Sequence, residues 1–572
     1  MFCRLTRRRL CSAFLLSVGL VSCQRKTSGP PPKYAVLRFE NLSGDPSLEW
    51  IARAASEYLS YSLAHALDGA VLNPDALARR SAGLGVEPSG APGISAQRTD
   101  ALVAGATRLI SGILEKDGTR IRLTATDEDL ATHQTVRTVT ALEPQPVQAM
   151  AQLAHELAPA AAPYLTSSSE ALRLYVTGLE KPPADAVADL EQALQKDPDF
   201  GPAWVTLVNI ANARGDRAGA LALIAQTSAK KIDPLHRANL DLIRATLTDD
   251  RIQRIEALRR VTVLSPADPS LTRSLAELEI ASGRFTDAAQ DWAKLLSVAP
   301  EDGDALNQEG YSRAWGGDFA GALTALRQYA QMKPADPNPL DSMGDVNYMY
   351  RKFPEAAASY LQAYAKSPQF LTGGELYKAA WAQFKVGDKA KADASFHRFR
   401  AVREKAGGAG LDVFEADWLY RTGRRKEAVE MLRKLPASPT VSSQLAIWDL
   451  LAGDRAAAAQ EFAGVGQVPS AAVLIARFAS LPSATAAEWL GRSEKMIHGN
   501  GAEGLRNLAL ALALILDGKK DAARPVMEKV VETSPGTDFF SRAVLAKLKG
   551  EQPKLELLPD PLNVNQVRAL AD

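Results

Sequence analysis

Six histidines and three cysteines are the softest metal ligands and strongest nucleophiles in this chain of 572 residues, and their spacing limits what chemistry it can do. One stretch begins like a zinc-protease helix: His155-Glu156-Leu157-Ala158-Pro159. That chemistry needs a second histidine one turn after the first, with the glutamate as general base. Proline stands in its place, so the motif fails. His65, His133, His236, His397 and His498 are scattered and isolated in the sequence. Cys3, Cys11 and Cys23 all lie at the start, which leaves no cysteine for a Cys/His zinc site further on. A phosphate-cradling loop of the GxxxxGK[ST] type is absent from the sequence, and the "GGAG" of residues 407–410 lacks both the lysine and a preceding strand. No GxSxG nucleophile turn occurs. The run Asp127-Glu128-Asp129 reads as a solvated turn rather than an acid/base pair. The expectation is a non-enzymatic protein with no catalytic residue, cofactor or metal.

The elements around these residues give more. Net charge is +1, and four arginines (Arg4, Arg7, Arg8, Arg9) sit in the first 22 residues without an acid, so the rest carries +1 less four, or −3. Such a balance gives no reason to expect nucleic acid as a partner. "RLTRRR" followed by "LCSAFLLSVGLV" has the form of an export signal, basic and then apolar, and the apolar run is short for a permanent span. It ends in Leu20-Val21-Ser22-Cys23, which resembles the bacterial lipobox. The resemblance implies removal of residues 1–22 and lipidation of Cys23, the sole mature cysteine. An ordinary signal peptide with a stray cysteine is the alternative. Residues 23–32 ("CQRKTSGPPP") read as a flexible tether. Gln24, rather than aspartate, after the anchor favours the outer over the inner membrane under the enterobacterial sorting rule, with the chain facing the periplasm or the cell surface.

Residues 33–160 read as a small mixed α/β domain. Tyr34–Phe39 is a short apolar strand, a helix follows over about Leu48–Ala66, and "AVLNP" is a second strand candidate. The segment from Leu102 to Ala141 reads as three antiparallel strands, with a tight turn at Asp117-Gly118 and with Ile121, Leu123 and Ala125 alternating with polar neighbours. A helix near Val147–Leu157 closes the unit. "YAVLRFENLSGDPSLEWIA" and the "DGTRIRLTATDEDLATHQTV" block resemble the TolB amino-terminal-like domain, with Phe39, Glu40, Asn41, Gly44, Asp45 and Gly112 at matching places and Arg38 departing from the pattern. The resemblance implies an interaction or sensing module of envelope proteins and brings no catalytic residue.

From about residue 165 to 550 the sequence repeats. Prolines at Pro198, Pro266, Pro300, Pro334 and Pro368 are separated by 68, 34, 34 and 34 residues. Ala186, Ala220, Ala288, Ala322 and Ala356, and Phe285, Phe319 and Phe353, keep the same phase. This period resembles the tetratricopeptide repeat (TPR), with Trp204 and Leu306 at the first large position and Gly310 and Gly344 at the small one. Glu309 occupies a site where that family prefers leucine, which predicts imperfect packing there. A glycine followed five residues later by alanine recurs at Gly215, Gly283, Gly317, Gly387, Gly423, Gly453 and Gly518, as if each ended a first helix and let the second approach closely. After residue 368 the steps drift to 36, 36 and 30. About eleven helix pairs fit.

The fold expected is therefore α+β but mostly α: the small mixed domain, then a right-handed TPR α-solenoid over 165–550, then a C-terminal tail over 551–572. The repeat resemblance places Arg273, Glu277, Asn307, Tyr311, Trp315, Asp341, Asp345 and Tyr348 on the groove-lining first helices. Such a groove suits a protein or peptide partner. The rings of Tyr311, Trp315 and Tyr348 have an alternative reading as packing between repeats. The Lys/Arg/Asn pattern that clamps carboxylates in some chaperone-binding members is not reproduced. The function expected is a membrane-anchored envelope scaffold. The alternative is a sensory or regulatory protein, related to architectures that join the same modules to an output domain.

Overall fold

The structure is a computed structural model; it describes residues 32–64, 66–67, 69–73, 77, 94–265, 268–463, 465, 480–487, 502–554 and 557. The export signal, nearly all of the tether, Cys23, His65 and Pro266 lie outside the described residues. The chain divides into two compact units, a small sheet-containing one and a long helical one.

In the small unit the strands are β1 (Lys33–Val36), β2 (Glu40–Asn41), β3 (Ala70–Leu72), β4 (Arg108–Asp117), β5 (Arg120–Asp129) and β6 (Gln134–Glu143). Helices run over Glu49–Leu63, Ile94–Val103 and Pro146–Leu157. The sheet order is β3-β1-β4-β5-β6, with β2 beside β4. β1 runs parallel to β3 and β4, whereas β4, β5 and β6 form an antiparallel meander. Its first turn closes on the Asp117–Arg120 pair, with Gly118 at φ 61°, a conformation that costs glycine little. Ile121, Leu123 and Ala125 are buried, as the alternation requires. β1 stops sooner than the apolar run Tyr34–Phe39, although buried Leu37 still donates its N–H to Ile110 O at 2.8 Å. The helix Ile94–Val103 has no counterpart in the sequence reading: its polar "SAQRTD" interior hides the periodicity.

One reading is overturned here. Asp127 is no turn residue. It lies inside β5, fully buried, and its carboxylate accepts from Arg108 Nη2 at 2.6 Å and from Arg137 Nε at 3.4 Å. The neighbouring strands supply the cations that make burial of this charge tolerable. Only Asp129 serves a turn, accepting the N–H groups of Ala131 and Thr132.

In the helical unit the repeat helices begin at Ser169, and ten complete helix pairs and a lone last helix stand among the described residues. The central pairs are Pro269–Ala281 with Phe285–Val298, Gly303–Trp315 with Phe319–Met332, Asn338–Met349 with Phe353–Lys366, and Gly374–Val386 with Lys389–Lys405. The glycine-alanine marker has a direct physical counterpart. Each of the seven glycines has a positive φ, between 73° and 97°, and ends a first helix, while each alanine five residues on is fully buried. Aspartates then start second helices: Asp216, Asp318 and Asp388 accept the N–H of the third residue after them. Glu309 is buried but paired to Arg313 at 2.7 Å, so its charge is met within the same helix.

The last pair, Ala502–Leu516 and Lys520–Thr533, is followed by a segment that returns to the middle of the array. Gly536 donates its N–H to Ala281 O at 2.6 Å, and Arg251 Nη1 reaches Ser534 O at 3.4 Å. A Cβ on Gly536 would lie 2.2 Å from backbone atoms of Gly283 and Ile280, so only glycine permits this approach. The lone helix Phe539–Leu548 starts here, and the ring of Phe539 packs 5.8 Å from Phe285 and 6.2 Å from Trp315.

Candidate binding groove

The first helices of three consecutive central repeats, Gly303–Trp315, Asn338–Met349 and Gly374–Val386, meet around one pocket of about 600 Å³. Tyr311, Trp315, Tyr348, Tyr377 and Trp381 give it aromatic walls, and Asp345, Lys378 and the Tyr360 ring form its polar side. The returning C-terminal segment supplies the facing wall through Thr537, Asp538, Phe539, Phe540 and Leu557.

Under the walls lies a part-buried polar network that ties the three repeats together. Lys378 Nζ donates to Asp341 Oδ2 at 2.7 Å and also contacts Asp345 Oδ1 at 3.0 Å. Tyr311 donates its hydroxyl to Asp345 Oδ2 at 2.7 Å, and Tyr360 donates to Asp345 Oδ1 at 2.8 Å. The ammonium also sits 5.4 Å from the Tyr360 ring centroid. Burial, and then the Asp345 charge, push Asp341 up to about 6 against the pull of Lys378. The same two causes raise the Tyr311 and Tyr360 hydroxyls well above the ordinary tyrosine range. Burial alone would lower the Lys378 ammonium, but Asp345 and Asp341 outweigh it and the group is held above its usual value. Titrating groups this strongly displaced in a concave site mark it as a functional candidate.

The eight groove residues named from the sequence divide. Tyr311, Trp315, Asp345 and Tyr348 line the pocket. Asp341 lies beneath it, 5 % exposed, with Oδ1 buried and unpartnered. Asn307 is half-buried one turn before Tyr311. Arg273 and Glu277 sit a repeat earlier and do not line the pocket: Arg273 pairs with Asp302 and lies over the Trp292 ring, and Glu277 is exposed. Tyr311 stacks on Trp315 at 5.4 Å and bonds across to the next repeat, so it packs between repeats while showing an edge to the pocket.

Sequence reasoning missed Tyr377, Lys378 and Trp381, and the reason is the register. The repeat step grows to 36 between Leu340 and Leu376, and between Gly344 and Ala380, the large and small packing positions. Applied to the groove, that step carries Asp341 to Tyr377 and Asp345 to Trp381. The drift was visible in the glycine spacing. Phe539 and Phe540, by contrast, arrive through a contact that no period encodes.

Two tetratricopeptide-repeat family models match the chain, over residues 180–238 and 255–337. With the helix pairs described above, they define a mostly helical protein in which a small mixed sheet unit precedes a tetratricopeptide-type repeat array. Among similar solved structures, the MamA protein is 16 % identical, with 30 % of this chain and 94 % of that one covered and a TM-score of 0.27. The Naa15/Naa10 structure bound to HypK-THB is 15 % identical over 70 % of this chain and 64 % of that one, with a TM-score of 0.36. PilW, titled a widely conserved type IV pilus biogenesis factor, is 14 % identical over 41 % and 94 %, with a TM-score of 0.24. No curated protein matches the chain.

Proposed function

We propose that this chain is a non-enzymatic interaction scaffold of the bacterial envelope, tethered to the membrane by lipid on Cys23, that holds a segment of a protein partner in its central repeats. The observation that carries the binding part is the aromatic-walled pocket on three consecutive first helices. Rigid rings on a preorganised helical surface supply contact area at low entropic cost, which is what an anchor site for a peptide side chain needs. The anchor part rests on the sequence alone: the basic and apolar leader, the Leu20-Val21-Ser22-Cys23 ending and the lack of any later cysteine. Among the described residues no helix is long and apolar enough to cross a membrane. The small unit, by its resemblance to TolB amino-terminal-like domains, docks a second envelope component. The partners are then proteins and a lipid bilayer, with outer-membrane placement favoured by Gln24.

Site-specific photo-crosslinking tests the pocket. A benzophenone side chain at Tyr348, which lines it, should give discrete adducts in intact cells, and one at exposed Gln328 on a second helix should not. Identical adduct patterns from both positions, or none from Tyr348, would refute the groove reading.

A further inference from the structure

The pocket's charge and its walls narrow the chemistry of what it holds. Lys378 is the one basic residue among the described residues lining it, and its ammonium is already engaged by Asp341 and Asp345. Glu375 lies close by, fully buried, and its Oε2 has no hydrogen-bond partner. Two carboxylates therefore meet one ammonium at the pocket floor, with Glu375 buried near Asp341 behind them, between low-dielectric aromatic walls that focus the field into the opening. Asp538 adds a carboxylate on the facing wall, where it accepts the N–H of Ser541 and lies within electrostatic reach of Arg542 behind the wall. Ring faces carry negative charge density, so the walls favour a cation as well. The site already hosts one such arrangement, the Lys378 ammonium against the Tyr360 ring. An acidic segment would meet repulsion from the floor, and a purely apolar one would leave the charge surplus unanswered.

We propose that the pocket takes a basic side chain, arginine or lysine, from the bound partner segment: its apolar stem lies along Tyr311, Trp315 and Trp381, and its charge is balanced by the carboxylates around Asp345. This rests on the groove reading above and specifies the class of its ligand. The experiment uses the full chain and three acetylated, amidated heptapeptides of sequence Gly-Leu-Gly-X-Gly-Leu-Gly, with X as arginine, citrulline or glutamate. Citrulline keeps the shape of arginine and removes its charge. Calorimetric titration should show the arginine peptide binding at least about tenfold tighter than the citrulline peptide, with the glutamate peptide weakest. Raising the salt should erode that preference. Asp345→Asn should abolish it. Because that change touches a part-buried network, Trp381→Leu is the second variant: it keeps apolar bulk, removes a ring face, and should lower arginine binding while leaving citrulline binding in place. Equal affinity for all three peptides would overturn the basic-residue proposal and leave the groove reading standing. Preference for glutamate would also overturn it. Absence of measurable binding by any peptide overturns it as well, and the groove reading falls with it only if Tyr348 also gives no crosslink.

Discussion

Gly344 is the residue on which the pocket's geometry can be tested most sharply. It sits inside the helix Asn338–Met349, where alanine would ordinarily be favoured by about 1 kcal/mol. A Cβ there would meet Tyr360 at 2.4 Å (Cε1), 2.5 Å (Cδ1) and 3.0 Å (Cζ). Tyr360 is only 2 % exposed, so its ring has no solvent to move into. Relieving the clash needs a shift of about 1 Å, with an overpacking cost of about 1–3 kcal/mol. The same shift stretches the 2.8 Å bond from Tyr360 to Asp345, whose loss to a charged acceptor is worth about 1.5–3 kcal/mol. With the propensity gain set against these costs, Gly344→Ala should destabilise the central repeats by about 1.5–5 kcal/mol. Gly178 is the control. Its added Cβ would find nothing nearer than Asp189 Cβ at 3.4 Å, so Gly178→Ala should be neutral or stabilise by up to about 1 kcal/mol. Repeat arrays unfold in parts, so the measurement is hydrogen exchange of Phe353–Lys366 alongside the urea midpoint. If Gly344→Ala is as stable and as protected as Gly178→Ala, the close packing of Gly344 on Tyr360 is refuted, and with it the account of the pocket floor.

Cys23→Ser should abolish palmitate labelling and move the protein to the soluble fraction or leave it as precursor; unchanged labelling ends the lipid-anchor proposal. Ala322, fully buried at a helix-helix contact, should tolerate leucine poorly, with Ala322→Leu costing about 1–3 kcal/mol in denaturant titration; wild-type stability would contradict the contact. Glu279 is buried, and burial, then the Asp291 charge, push it up to about 7 from an ordinary 4.5, against Arg259. A raised folded value means the native state holds the proton more tightly, so this contribution to stability is full below about 4.5 and is lost as pH rises through about 7. Asp341, pushed up to about 6, adds a loss in the same direction. Glu279→Gln should therefore flatten the fall in melting temperature across that window, and an unchanged pH profile would count against the assignment.

Periodicity carried the reading of the array because each tetratricopeptide-type repeat satisfies its packing against neighbours. Ala288, Ala322 and Ala356 are fully buried for the same local reason in successive pairs, and one sequence position reports on all of them. The antiparallel meander was equally legible, since Ile121, Leu123 and Ala125 alternate under a single buried face. The failures have a common form. Asp127 reads as a surface acid until Arg108 and Arg137 arrive from neighbouring strands. Nothing within its own segment announces them.

The groove shows the same boundary at larger scale. Tyr311 and Asp345 stand one 34-residue step apart, and Trp315 and Tyr348 lie on the same two first helices, so the repeat makes all four legible. Tyr377 and Trp381 needed only the two-residue drift to be followed through the packing positions Leu376 and Ala380. The facing wall is different in kind. Phe539 meets Trp315 across more than two hundred residues, and what permits the approach is the absence of a side chain at Gly536 against Gly283. A glycine in "SPGTD" has the composition of an ordinary turn, and its role as a close-packing residue exists only once the array has brought its end back to its middle. The pocket's inner face is thus written in the repeat, and its outer face in how many repeats separate Gly283 from Gly536. A deletion of one whole pair between the pocket and Gly536, such as Leu411–Arg421 with Arg425–Lys434, would keep every first-helix residue in place and still remove the wall that Phe539 and Phe540 provide.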